Sequence, residues 1–149
     1  MKAYSLIELL VVVSIIGMLA VFGIPAFGRY GKVAQFRDKT EEIKGLIERT
    51  YYLAKNPSGN GIASYSLRVD AGNLLLSATE AGTILPVSSV SMESGQSVVG
   101  GGTTCPTVTP VTCIPQPITF DDTGIKKRVI FTTTFNPAPV ITVAETDLP

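Results

Sequence analysis

Few side chains in this 149-residue chain have the type and placement to do chemistry, and they stand in three places. The first is Glu8, a lone carboxylate at the head of an uncharged run of 20 residues, Leu9 to Gly28, built mainly of Leu, Val, Ile, Phe and Ala. An acidic group at the centre of an apolar helix costs roughly 2.5 to 3.5 kcal/mol on insertion scales, and less near the end. One kept at such a position needs a cation or a task. The second place is the pair Cys105 and Cys113, which bracket Pro106-Thr107-Val108-Thr109-Pro110-Val111-Thr112. In an oxidising compartment two such thiols close a small loop worth roughly 2 to 3 kcal/mol; otherwise they stay free. The third is a basic collar over residues 29 to 55, with seven cations (Arg29, Lys32, Arg37, Lys39, Lys44, Arg49, Lys55) against four acids. It reads as a solvated helix face or a contact with lipid headgroups.

What is missing narrows the chemistry further. There is no histidine, and two cysteines alone cannot assemble a zinc site of His and Cys ligands within one chain. Histidine-dependent acid/base work and the hydrolytic triad go with it. No Gly-x-Ser-x-Gly elbow is present, and Gly100-Gly101-Gly102-Thr103 lacks the Gly-Lys-Ser/Thr of a phosphate loop. The expectation is a protein that is not an enzyme and uses no cofactor or metal. Lysine and arginine total 12 against 12 aspartates and glutamates, and residues 56 to 149 hold four cations against seven acids, so no nucleic-acid partner is expected.

The elements that position these residues follow from periodicity. At about 1.5 Å per residue, Leu9 to Gly28 matches the roughly 30 Å hydrocarbon core of a bilayer, so the first half of an N-terminal helix is expected to be transmembrane. A secretory signal peptide is the alternative, and its apolar core is usually shorter, 7 to 15 residues. Beyond Arg29, the residues Val33, Phe36, Thr40, Ile43, Ile47, Thr50 and Ala54 recur at helical steps, with Asp38, Glu41, Glu42 and Lys44 opposite. The helix ends at Asn56-Pro57-Ser58-Gly59-Asn60-Gly61. Pro25 is expected to kink it.

The remainder reads as strands. Ile62 to Val69 alternates and returns through Asp70-Ala71-Gly72-Asn73 into Leu74 to Ser77; Ile118 to Phe120 and Arg128 to Phe135 flank Asp121-Asp122-Thr123-Gly124; Val140 to Val143 is a last strand. Residues 86 to 117, rich in Ser, Gly, Thr, Pro and Val, are expected to be a variable loop with one short strand near Ser97 to Val99.

The run Ala3-Tyr4-Ser5-Leu6-Ile7-Glu8-Leu9-Leu10-Val11-Val12-Val13-Ser14-Ile15-Ile16-Gly17-Met18-Leu19-Ala20 closely resembles the N-terminal signature of type IV prepilins and type II secretion pseudopilins. The resemblance implies cleavage by a prepilin peptidase between Ala3 and Tyr4, N-methylation of Tyr4, an assembly role for Glu8 and a helix-interrupting proline at Pro25. Ala3 stands where the family usually has Gly, and Tyr4 where it has Phe or Met. The Phe120 to Gly124 turn and the Tyr65 to Val69 strand are loosely similar to the H-type minor pseudopilin, and the cysteine pair resembles the disulfide-bounded loop of pilins by position.

The expected organisation is therefore a leader at 1–3, a transmembrane assembly helix at 4–28, an amphipathic continuation at 29–55 and a β-rich head at 56–149 with its variable loop at 86–117. The expected fold class is α+β, a long N-terminal helix packed on a C-terminal antiparallel β-sheet head in the manner of the pilin fold. The implied function is that of a structural filament subunit, held in the cytoplasmic membrane with its head outside and then polymerised. The implied partners are itself or related pilins, the prepilin peptidase, an inner-membrane assembly platform and lipid. Two alternatives stay open: a minor subunit whose head binds a surface, a substrate or DNA, and an unprocessed, signal-anchored extracytoplasmic protein.

Overall fold

The computed structural model describes the backbone of residues 5–57, 61–100, 103–106, 117–135 and 139–149; side chains are described at these positions except 21–27, 29, 103, 106, 135 and 139. One helix, α1 (Leu6–Lys55), is followed by eight strands. They are β1 (Ile62–Asp70), β2 (Asn73–Glu80), β3 (Thr83–Val90), β4 (Gln96–Gly100), β5 (Thr103–Pro106), β6 (Ile118–Asp122), β7 (Lys127–Phe135) and β8 (Pro139–Asp147). The chain divides into two compact units, Met1–Gln35 and Phe36–Pro149.

In the second unit the strands form two four-stranded antiparallel sheets, ordered β3-β2-β1-β5 and β4-β6-β7-β8. Alternation decides which residues each sheet turns inward. Tyr65 and Leu67 of β1 and Leu74, Leu76 and Ala78 of β2 are buried in one; Ile118 and Phe120 of β6 and Val129 and Phe131 of β7 are buried in the other. Residues 36–54 of α1 supply Phe36, Ile43, Leu46, Ile47, Thr50, Tyr51 and Ala54 to the same core, at the three- and four-residue steps of one helix face. The Phe36 and Phe120 rings stack with centroids 5.3 Å apart, fastening α1 to the second sheet. Thr40 and Thr50, on the buried side, donate their hydroxyls to the carbonyls of Phe36 and Leu46, each at 2.8 Å, so neither enters the core unsatisfied.

Two hairpins in the first sheet are built alike. Asp70 pairs with Asn73 and Glu80 with Thr83, leaving two-residue loops, Ala71-Gly72 and Ala81-Gly82, whose φ angles are all positive (48° and 81°, 48° and 84°). Positive φ at both central residues is the turn whose twist matches the strands it joins, and glycine at the second position adopts it without a Cβ penalty.

The expected fold requires correction on two counts. A transmembrane first half is not found: among the described residues no helix is long and apolar enough to cross a membrane. A single sheet head of the pilin type is likewise replaced by two sheets. The reason lies in residues 86–117: the short strand expected near Ser97 to Val99 is found as β4, and the stretch expected to be loop also contributes most of β3 and all of β5. Those strands extend the second unit to eight, and with α1 the two sheets cover one another's apolar faces. Pro86 is tolerated because β3 is an edge strand, interrupted opposite Leu76 and Ser77 by a register shift that leaves Val87 unpaired.

Candidate functional site

Two surfaces stand out, one that carries Glu8 and one on the second sheet. The first is α1 from Leu6 to Leu19. Its helical start is set by Ser5, whose carbonyl accepts the amides of Glu8 at 3.0 Å and Leu9 at 3.3 Å. Every large apolar side chain in this stretch is exposed, from 49% at Val12 to 82% at Leu6. Ser14 returns its hydroxyl to the Leu10 carbonyl at 2.8 Å, so the polar group interrupting the run is internally satisfied and the surface it leaves is apolar all round. Glu8 lies in the first turn, exposed. A carboxylate there faces the positive end of the helix dipole and is available to a cation from outside the helix.

The cleavage pair Ala3 and Tyr4 lies outside the described residues, as does Cys113. The helix kink expected at Pro25 likewise falls on a side chain that is not described, although α1 continues through that position. Cys105 is fully buried on β5, opposite Tyr65 of β1, and no cysteine among the described residues is free. The collar is divided between solvent and ion pairs along the helix. Lys39 binds Glu42 at 2.8 Å and Lys44 lies 3.6 Å from Glu41, both three residues apart, while Lys32, Arg37, Arg49 and Lys55 are exposed.

The second surface, on the outer face of β4, β6 and β7, was not read from the sequence. Arg128 donates from Nε and a terminal nitrogen to the two oxygens of Asp121, both at 2.7 Å. This fork holds the Asp121 carboxyl below its ordinary range, by the hydrogen bond first and the Arg128 charge second, against a partial desolvation. The pair floors an open groove of about 270 Å³ with Val99, Thr119 and Ile130. Because each charge is matched by the other, the groove offers a ligand little unspent polarity.

Asp122, beside it, is buried and acts within the fold: it accepts Gln96 Nε2 at 3.1 Å and the amides of Gly124 and Ile125 at 2.9 and 3.3 Å. That clamp moves the hairpin loop to residues 123–126, beyond the turn at 121–124 expected from Asp-Asp-Thr-Gly, and puts Asp121 directly opposite Arg128. The signal was present as opposite charges flanking a turn, but it required the register. Lys127 is held by Asp147 at 2.7 Å and Glu145 at 3.8 Å, which raises its pKa, Asp147 contributing most. Against known protein families, characterised proteins and solved structures alike, the chain has no match.

Proposed function

We propose that this chain is a structural subunit of a type IV filament, a pilus or a type II secretion-like pseudopilus, cut by prepilin peptidase between Ala3 and Tyr4, methylated at Tyr4 and polymerised through the N-terminal part of α1. The observation that carries the proposal is the uncovered surface from Leu6 to Leu19, where every large apolar side chain keeps at least 49% of its area in solvent. Burying such area is worth roughly 25 cal/mol per Å², so neighbouring copies of the same helix stabilise one another by packing there. The motif surrounding Glu8 supplies the second support. Cleavage creates an amine at Tyr4, and Glu8 pairs with that of a neighbouring subunit, which fixes the axial register; its own amine, one turn away, is the competing partner.

On this reading the subunit is held at the cytoplasmic membrane by the assembly platform and lipid before it enters the filament, with Phe36–Pro149 extracytoplasmic and Cys105 joined to Cys113. It performs no catalysis and uses no cofactor. The test is intact and N-terminal mass spectrometry of protein from cells with and without the prepilin peptidase. A peptidase-dependent start at Tyr4 carrying an added methyl group is expected, and Glu8→Gln is expected to be processed normally yet absent from filaments. A start at Met1 in both strains overturns the proposal.

A further inference from the structure

Among the described residues, three of the four strands that end a sheet are guarded against pairing with another chain. β3 carries Pro86 and a register shift, β4 is five residues long and β5 four. β8 is different. It is nine residues long, keeps nine consecutive pairs with β7 without a shift, and has its one proline at its first residue. Its residues are β-branched or small over Val140-Ile141-Thr142-Val143-Ala144, with Val140 59% and Val143 41% exposed. No lysine or arginine interrupts it. A long, regular, exposed edge rich in apolar residues is a template for strand addition, with its outward amides and carbonyls ready to bond.

We infer that β8 pairs edge to edge with β8 of a second copy of this chain, antiparallel and centred on Val143. Charge selects both the occupant and the direction. The acidic residues of β8, Glu145 and Asp147, are confined to one end, where Lys127 partly neutralises them. A parallel, in-register partner sets Glu145 against Glu145 and Asp147 against Asp147, which repels. The antiparallel arrangement sets Glu145 against Ile141, Asp147 against Pro139, Thr142 against Ala144 and Val143 against itself. Like charges part, and the apolar centre is self-complementary.

This contact is isologous, related by a two-fold axis, whereas a polar filament repeats one rotation and translation. β8 pairing therefore joins subunits of two filaments, or two free subunits, and does not depend on the filament reading.

The test uses the full chain in detergent micelles. Val143→Lys and Val143→Glu each place like charges on the axis and are expected to weaken dimerisation at least tenfold, while an equimolar mixture regains it. α1 is untouched in these variants, so association through it cannot produce that pattern. Independently, Thr142→Cys mixed with Ala144→Cys is expected to form a 142–144 disulfide under mild oxidation, and Thr142→Cys alone is not. The latter pair lies diagonally, with Cβ atoms near 7 Å, beyond the 3.5 to 4.5 Å a disulfide spans. Dimerisation indifferent to charge at position 143, or failure of the mixed cysteine pair to cross-link, overturns the inference, as does pairing seen only with a strand from another protein.

Discussion

Leu10, Val13 and Ile16 are 58%, 59% and 60% exposed, whereas Ile43, Ile47 and Ala54 of the same helix are at 0%, 1% and 0%. Residue chemistry does not separate the two stretches; pattern does. From residue 36 onward most apolar side chains fall on one face and charged ones on the other, so the sheets of the second unit bury that face. Over residues 6 to 19 apolar side chains face every direction, and no single surface covers a helix of that kind. The contrast places the folding information of α1 in its second stretch and its capacity for association in its first.

That division is sharpest under truncation. Phe120→Ala removes the partner of Phe36 and leaves a cavity between α1 and the second sheet, and should cost about 3 to 5 kcal/mol in thermal or denaturant unfolding. Leu10→Ala deletes a comparable apolar group from the exposed stretch. It should change the unfolding of the second unit by less than about 0.5 kcal/mol while reducing self-association of the full chain in micelles. A large loss of stability from Leu10→Ala would erase the distinction.

A smaller effect probes how complete the buried side is. The Thr133 hydroxyl is buried in the second sheet and has no hydrogen-bond partner among the described residues, unlike those of Thr40 and Thr50. Thr133→Val keeps the shape and removes the unsatisfied group, so stability should rise by about 1 kcal/mol, read as an increase of a few degrees in Tm.

What was legible in the sequence tracks the range of the interaction that decides it. The amphipathic stretch from Phe36 to Ala54 and the Asp70-Ala71-Gly72-Asn73 hairpin are written in local periodicity and turn chemistry, and both are found. The twin turn at Ala81-Gly82 carries the same local signal, and Pro86 beyond it is compatible with a strand because β3 is an edge, which the strand order alone shows. The short strand expected near Ser97 to Val99 is found as β4, whereas β5, four residues long and stabilised by β1, a partner distant in sequence, was marked as loop by composition alone. Of the candidate site, Glu8 and Cys105 lie among the described side chains, whereas Ala3, Tyr4 and Cys113 do not. The Asp121 and Arg128 pair was hidden by a turn placed two residues too early, which is enough to lose every cross-strand partner beyond it.

That pair also gives the smallest of the expected effects, one confined to the second unit. Asp121 has its pKa lowered in the folded state, so its contribution to stability is fully present above the ordinary carboxylate value of about 3.9 and is lost as the pH falls through the lower folded value. Arg128, its pKa raised by the same contact, stays charged throughout that window. Most other carboxylates of the chain sit on the surface, and their protonation is shared by wild type and variant, so the difference between wild type and Asp121→Asn isolates the fork. The difference in Tm should be constant from pH 7 to about 5 and shrink steadily below about pH 4. A difference independent of pH would mean that Asp121 acts by its shape on the sheet and that its charge is idle.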